Sequence, residues 1–326
     1  MILAGDVGGT KTQLARFDAR DGKLIRIREE SYPSAGVTGL ADAIHRFHPS
    51  GDAPLIAAAF GVAGPVSGGR VRTTNLPWEV DASKLSDEFG IGLVTLLNDL
   101  EAMAWGIEAL DPADIETLQE GDPDTDGNGA VIAAGTGLGQ ALLIRHEGRL
   151  HPAATEGGHA DFAPHDEEMD AFLVWLRSRV GHVSAERVAS GMGLESLYHF
   201  YHRREAGLAP PHHDEGDDLP ALLAEAASEE RCPSCTEAFG LFLRCYGAEA
   251  GNLALKAAAT SGVYVGGGIA AKNISAMKSG IFARAFVDKG RFEAYMRRIP
   301  LKVILNEGVP LIGAARVAAR SAGLLD

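Results

Sequence analysis

Near the start of the chain, in Ile2-Leu3-Ala4-Gly5-Asp6-Val7-Gly8-Gly9-Thr10-Lys11-Thr12, an apolar run meets a carboxylate, paired glycines and two hydroxyls. Adjacent glycines tolerate positive φ and let backbone N–H groups close on an anion, and Thr10 and Thr12 add hydroxyl donors. The chemistry of such a turn is phosphate cradling, with Asp6 placed to hold a metal-bound water beside a nucleotide phosphate. An ordinary glycine hairpin is the alternative. A P-loop is not: G-x-x-x-x-G-K-[ST] needs glycine where Thr10 stands, and a helix after it. Gln13-Leu14-Ala15-Arg16-Phe17 instead reads as a returning strand, closed by Asp18 and the Asp21-Gly22 turn signal.

The arrangement recurs. Val131-Ile132-Ala133-Ala134 leads into Gly135-Thr136-Gly137-Leu138-Gly139, and Gln140-Ala141-Leu142-Leu143-Ile144 leads away. A dinucleotide fingerprint would open a helix at this point, and this run does not. Two strand, Gly/Thr turn, strand units predict a duplicated domain with phosphate between the halves.

Further polar groups sit at element ends. Asn98-Asp99 follows the apolar run Ile91–Leu97, and Leu100, Met103, Ala104 and Ile107 then repeat with helical spacing. Either residue can serve as a simple cap. Ligands of open α/β sheets also gather at strand carboxyl ends, which makes Asp99 a catalytic candidate. Gly157 and Gly158 let Glu156 and His159 turn onto one small ligand; as metal ligands the pair would need a third protein group that the spacing does not reveal. In Gly181-His182-Val183-Ser184-Ala185-Glu186-Arg187, Ser184 is expected to cap a helix with Glu186 in its first turn, where a glutamate also simply complements the dipole. Gly266-Gly267-Gly268, closing the strand Gly262–Val265, asks for something flat against the backbone, and a purine suits.

These groups need elements to hold them, and the chain alternates strand-like and helix-like segments. Leu40–Phe47 reads as a helix. Leu55–Pro65 reads as a buried strand entering a turn, with Gly61 and Gly64 permitting close backbone approach, and Asn75–Trp78 reads as a loop. The acidic stretch from Leu110 to Gly127, with Pro112 and Pro123, is expected to be a surface helix and connector. Met169 to Val180 is amphipathic, 202–220 is a polar insertion, and 222–259 is helical by pattern. A strand at Leu301–Leu305 and a helix from Leu311 to Ala322 follow.

With 326 residues, 46% of them hydrophobic, the chain is long enough for two cores. A net charge of −14 and a pI near 5.2 leave no basic footprint for nucleic acid or an anionic membrane. No basic segment precedes the first apolar residues, and glycines interrupt the apolar stretch 129–144. Neither signal peptide nor membrane span is therefore expected, and the cytoplasm is the expected location. Three cysteines, Cys232, Cys235 and Cys245, argue against a disulfide framework. Cys232-Pro233-Ser234-Cys235 has zinc-like spacing without a second pair, so all three are read as thiols that bind no structural metal.

Taken in order, Gly5-Asp6-Val7-Gly8-Gly9-Thr10, Leu97-Asn98-Asp99-Leu100, Gly135-Thr136-Gly137-Leu138-Gly139, Glu156-Gly157-Gly158-His159, His182-Val183-Ser184-Ala185-Glu186-Arg187, Gly266-Gly267-Gly268-Ile269 and Asp288-Lys289-Gly290-Arg291-Phe292 resemble the bacterial glucokinases over nearly the whole chain. The resemblance implies an α/β chain of two actin-like, ribonuclease-H-like domains with a duplicated core, flanking a cleft. Residues 1–109 with 304–326 would form the smaller domain and 110–303 the larger. It implies an ATP-dependent kinase that phosphorylates D-glucose at the 6-hydroxyl, the first step of glucose catabolism. Asp99 matches the catalytic base; Asn98, Glu156, His159 and Glu186 match the residues that hydrogen-bond glucose. Gly5, Asp6, Val7, Gly8, Gly9 and Thr10 match the first phosphate segment, Gly135, Thr136 and Gly137 the second, and Gly266, Gly267 and Gly268 the adenosine segment. Asp6 would hold Mg²⁺ through water. The implied partners are glucose and ATP, without nucleic acid or membrane, and a homodimer is the expected assembly.

Lys11 departs from the resemblance, standing where asparagine is expected. The related sugar-kinase and repressor group with a structural zinc carries a cysteine cluster soon after its Glu-Gly-x-His motif, which this chain lacks. A kinase for another hexose and a sugar-responsive regulator are the alternatives. A regulator needs a DNA-binding segment, and no basic helix precedes Ile2. A chaperone-like ATPase would share the nucleotide site but has no use for Glu156, His159 and Glu186.

Overall fold

The computed structural model describes residues 1–20, 22–49, 53–73, 76–202 and 218–325. The anticipated insertion at 202–220 falls almost wholly outside them, as do Asp21 and Asn75 of the anticipated turns. The chain forms two compact units, Met1–Pro112 with Gly308–Asp326, and Ala113–Glu307.

In the first unit the strands are β1 (Ile2–Val7), β2 (Lys11–Arg20), β3 (Lys23–Pro33), β4 (Ala57–Val62), the short β5 (Val66–Ser67), β6 (Arg70–Arg72) and β7 (Glu79–Asp81), and β8 (Leu93–Asn98). The main sheet runs β3-β2-β1-β4-β8, antiparallel across β3-β2-β1 and parallel across β1-β4-β8. Every residue of β4 is buried, as a parallel strand covered on both faces requires. One face packs on helix α1 (Leu40–Phe47), whose Leu40, Ala43, Ile44 and Phe47 join Leu3 and Phe60 in a common core. The other face packs on the C-terminal helix (Val309–Ser321), whose Leu311, Ala314, Ala315, Ala318 and Ala319 meet Ile2, Ala4, Ala57 and Ala59. After α2 (Ala82–Phe89) comes α3 (Asp99–Gly106), which starts directly at the end of β8. It lies against the C-terminal helix with backbones nearly touching: a Cβ on Gly313 would collide with Ala102 O and come 2.7 Å from Gly106 N.

The second unit repeats this plan with β9 (Ile115–Gln119), β10 (Gly129–Ala134), β11 (Leu138–His146), β12 (Arg149–Thr155), β13 (Gly262–Gly266) and β14 (Leu301–Ile304). Its sheet runs β12-β11-β10-β13-β14-β9. The first five strands carry the same sequence of antiparallel and parallel pairings as the first unit, which is the duplication that the two glycine turns anticipated. Helices α4 (Glu167–Val180), α5 (Gly191–His202), α6 (Leu219–Ser228), α7 (Pro233–Ala257) and α8 (Gly268–Lys272) surround it, and α7 is the centre of its core, burying Phe239, Phe242 and Tyr246.

Three expectations change. The stretch from Leu110 to Gly127 is not a helix; it holds the edge strand β9, paired antiparallel with β14. Gln119 Nε2 donates to Met296 O (2.9 Å) and Ile299 O (2.7 Å), so tertiary contacts decide that segment. The segment 222–259 is two helices broken at Glu229–Cys232, where Glu230 takes φ +54°. Cys232 and Cys235 are not two thiols: they form a disulfide across the first turn of α7, while Cys245 is free and buried.

Candidate active site

In the first unit three parallel strand ends meet. Val7 pairs with Val62 and Val62 with Asn98, so β1, β4 and β8 finish side by side. Asp6 pairs with Gly61, which pairs in turn with Leu97. A Cβ on Gly61 would lie 2.7 Å from Ala102 Cβ and 3.7 Å from Asp99 Cα, so glycine is what lets α3 sit this close to β4 and delivers Asp99 next to Asp6. The two carboxylates sense each other. Burial, and secondarily the charge of Asp99, push the Asp6 carboxyl up to about 7, with Lys11 opposing.

Of the N-terminal segment, Gly5 and Val7 are buried within the sheet, and a Cβ on Gly5 would strike Phe60 Cδ1 at 2.5 Å. Their place is packing. At the turn itself, Gly8 N–H donates to Lys11 O (3.0 Å), and Gly8 does not use the left-handed backbone that paired glycines permit. The amides of Gly9 and Thr10 stand between the strands, outside the ladder. Ser34, which spacing did not reveal, braces the turn: its N–H donates to Thr10 O (2.9 Å), its Oγ donates to Gly8 O (2.8 Å) and lies 3.1 Å from Thr12 Oγ1.

Asn98 caps α3, accepting from Leu100 N–H at 2.9 Å, while its Nδ2 donates to Gly64 O (3.3 Å) at a glycine of φ +140°. Asp99 Oδ1 also accepts from Leu100 N–H (2.9 Å). The capping alternative is therefore real for both residues, and it fixes the carboxylate of Asp99 at the helix N-terminus.

In the second unit Glu156, His159 and Glu186 come together. His159 Nε2 lies 3.9 Å from Glu156 Oε2, and its Nδ1 lies 3.9 Å from Glu186 Oε1. Glu156 and His159 keep 59% and 64% of their side-chain surface exposed against 21% for Glu186, so the first two present their polar ends outward and the third anchors them. Glu186 is not in a helix, as Ser184 had suggested; Ser184 forms an antiparallel bridge with Asp161, Glu186 lies in the turn at 186–188, and α5 begins at Gly191. Bonds outside the local sequence override the capping pattern: Ala185 N–H donates to Ala160 O (2.8 Å) and Glu186 N–H to Gly158 O (2.9 Å). Glu186 Oε2 accepts from Leu138 N–H (3.0 Å) and would be only 2.5 Å from a Cβ on Gly137. The acid–imidazole–acid cluster and the second glycine turn are thus one piece of structure. Among the described residues no group of three His, Cys, Asp or Glu is placed to hold a metal ion.

Gly135 N–H donates to Gly137 O (2.9 Å), closing the second turn much as Gly8 closes the first. Gly267 takes φ +85°, and a Cβ there would collide with Ala134 O; the backbone presses against the neighbouring strand, not against open space. Gly268 then opens a cavity of about 580 Å³ shared with Gly135, Thr136, Ile269, Lys272 and Asn273, a size suited to a nucleoside. Tyr246, a residue without a local signal, ties the two segments together: its buried hydroxyl meets Ala134 N–H (3.0 Å), Ile132 O and Gly266 O (3.4 Å each).

The match to known proteins spans both glycine turns, the carboxylate pair and the acid–imidazole–acid cluster. The family model for glucokinase matches residues 3–321. The chain belongs to the glucokinase family. A glucokinase of Synechocystis is 39% identical over 98% of this chain and 98% of its own length. The crystal structure of a glucokinase from an Antarctic psychrotroph shares 30% of its residues and superposes with a TM-score of 0.84 over 98% of both chains. A ROK family glucokinase from Streptomyces griseus, solved in complex with glucose and AMPPNP, shares the fold at a TM-score of 0.65 and 22% identity over 98% of this chain and 99% of its own. The glucokinase fold here is the two-unit actin-like ATPase fold.

Proposed function

We propose that the chain transfers the γ-phosphoryl group of ATP to the 6-hydroxyl of D-glucose, giving glucose 6-phosphate and ADP. Phosphoryl transfer is mostly positioning and charge neutralisation, so the protein must cradle phosphate, orient one hydroxyl and accept its proton. The amides at Gly9–Thr10 and Thr136–Gly137 do the first, and the cavity beside Gly268 takes the adenosine. Asn98, Glu156, His159 and Glu186 hydrogen-bond the sugar hydroxyls, each of which needs both a donor and an acceptor once buried. Asp99 orients the 6-hydroxyl. A carboxylate is too weak a base to deprotonate a free alcohol, so it takes the proton as the sugar oxygen bonds to phosphorus and the bond to the ADP oxygen breaks. The donor set suits Mg²⁺, which is held by one or two carboxylates plus substrate phosphates. Asp6 would hold it through water beside Asp99, where two carboxylates crowd one another, and the ion would neutralise charge on the phosphates.

What supports a sugar acceptor over a bare ATPase is one arrangement: Glu156, His159 and Glu186 fixed to the phosphate turn through the Glu186–Leu138 bond. A net charge of −14 offers nothing to nucleic acid. Among the described residues no helix is long and apolar enough to cross a membrane. On this reading the protein works in the cytoplasm as a homodimer at the entry to glucose catabolism. A coupled assay of ADP release with ATP·Mg across glucose, mannose, glucosamine and fructose tests it. Turnover should be fastest with glucose; no hexose-stimulated turnover would sink the kinase reading, and a preference for another hexose would reassign the substrate.

A further inference from the structure

Beneath the Glu156–His159 turn lies a chain of polar side chains that the mechanism above does not use. Gln140 on β11 and Glu249 on α7 are only 2% and 7% exposed, and Gln140 Nε2 donates to Glu249 Oε1 at 2.8 Å. Asn252 Nδ2 donates to the other carboxylate oxygen of Glu249 (2.9 Å). Lys289 Nζ donates to Asn252 Oδ1 (2.9 Å) and to Ala248 O (2.8 Å). The buried carboxylate thus has hydrogen bonds on both oxygens and a cation one residue away, as a buried charge requires.

At its other end the chain meets the sugar turn. A Cβ on Gly157 would collide with Gln140 Oε1 and come within 3.0 Å of Cδ, so the Gln140 amide is the floor on which Gly157 rests. The same residue holds the turn through its backbone: Thr155 Oγ1 donates to Gln140 O (3.0 Å) and accepts from Gly157 N–H (3.2 Å). Glu156 and His159 flank that contact and are the most exposed members of their cluster.

We propose that Gln140, clamped by Glu249, is a positioning residue that sets the height and tilt of the Glu156–His159 turn and thereby the affinity for the sugar. Gln140 touches no substrate. Nε2 is committed to Glu249, which fixes the amide so that Oε1, not Nε2, faces Gly157. Losing the Glu249 bond frees the amide to rotate, and the turn above it loses its floor. The effect acts on the sugar side, because the adenosine cavity draws on Gly135, Thr136, Gly268 and Lys272, whereas the bonds that tie Gln140, Glu249, Asn252 and Lys289 together run beneath the Gly157 turn.

This proposal rests on the assignment of Glu156 and His159 as sugar ligands, so its test includes Glu156→Ala. With steady-state kinetics and calorimetric glucose binding, Gln140→Leu should raise the glucose KM and Kd about tenfold while the ATP KM stays within about twofold. Gln140→Glu should be worse, because it sets two carboxylates together. The exchange Gln140→Glu with Glu249→Gln restores the bond with donor and acceptor reversed, and should bring glucose KM back to within about threefold of the parent. A merely structural role would lower the melting temperature and change the KM of both substrates alike, with no rescue by the exchange. If Glu156→Ala weakens glucose binding but Gln140→Leu does not, or the exchange fails to rescue Gln140→Glu in a folded protein, positioning by Gln140 is overturned alone. If Glu156→Ala leaves glucose binding unchanged, the sugar-site assignment itself fails.

Discussion

The Asp6 carboxyl makes the protein's stability depend on pH in a way that one substitution isolates. In the unfolded chain this group titrates near 3.8; in the folded unit burial and Asp99 raise it to about 7. Between those values the folded state holds a proton that the unfolded state has lost, so the stability present below pH 4 falls as pH rises to 7. At about 1.4 kcal/mol per pH unit, the loss has a ceiling of roughly 4 kcal/mol, reduced by whatever part of the carboxyl stays in contact with water. Asp6→Asn carries no charge at any pH. It should match the parent near pH 4 and be more stable above pH 7 by about 2 to 4 kcal/mol, while losing most of its turnover because the negative charge that would hold the metal-bound water is gone. Urea denaturation of both proteins at half-unit steps from pH 4.5 to 8.5 measures the difference. Mg²⁺ added with ATP should stabilise the parent more than the variant at pH 8 and release protons on binding. A stability difference that is constant across this range, or largest at its acid end, would refute the reasoning.

Asp99→Asn should lower kcat by roughly 10²- to 10⁴-fold with glucose binding retained, whereas Glu156→Ala should mainly weaken glucose affinity; calorimetry beside kinetics separates the two, and the reverse pattern would show that base and ligand have been exchanged. Gly61→Ala forces its methyl against Ala102 at the root of α3, so kcat should fall about tenfold or more from a shifted Asp99, with a stability loss of about 1 to 3 kcal/mol by denaturation. Tyr246→Phe removes the hydroxyl that links β10 to β13 and should raise the ATP KM while the glucose KM holds, since its bonds end at Ala134 and Gly266. Thiol titration of the denatured, unreduced protein should find one free thiol per chain, Cys245, and three after reduction.

Where the sequence was readable, the structure-determining information was local. The two strand, turn, strand units show themselves as apolar runs meeting glycines, and Leu40–Phe47 has both its apolar period and its ends in plain view. The Glu156-Gly-Gly-His159 loop could be recognised as convergent because two glycines separate its polar groups. What could not be read depends on residues far apart in the chain. β9 has no buried position and a polar composition, so only its pairing with β14 makes it a strand. Ser184 looked like a cap because its local pattern is one, but a bridge to Asp161 and backbone bonds to Gly158 and Ala160 hold that segment out of a helix. Ser34, Tyr246 and Gln140 are single residues with no local signal of their own, and each acts across long sequence separations. The disulfide was masked by a count of three cysteines, which hides a local pair beside one buried thiol.

The first unit is discontinuous, and that has a consequence for how the protein is made. Ala113–Glu307 contains every strand of its own sheet, so this segment can fold while later residues are still being synthesised. The first unit cannot follow. The apolar faces of β1 and β4, at Ile2, Ala4, Ala57 and Ala59, have no cover until Leu311 through Ala319 have left the ribosome. The earliest strands made are therefore the last to be sealed, and nascent chains arrested before residue 311 should carry an exposed Ile/Ala surface that invites chaperone capture. On the proposed reading competence is delayed as well: Asp6 near the end of β1 and Asp99 at the start of α3 belong to a unit whose packing waits for that helix, so phosphoryl transfer would wait until Leu311 through Ala319 are in place.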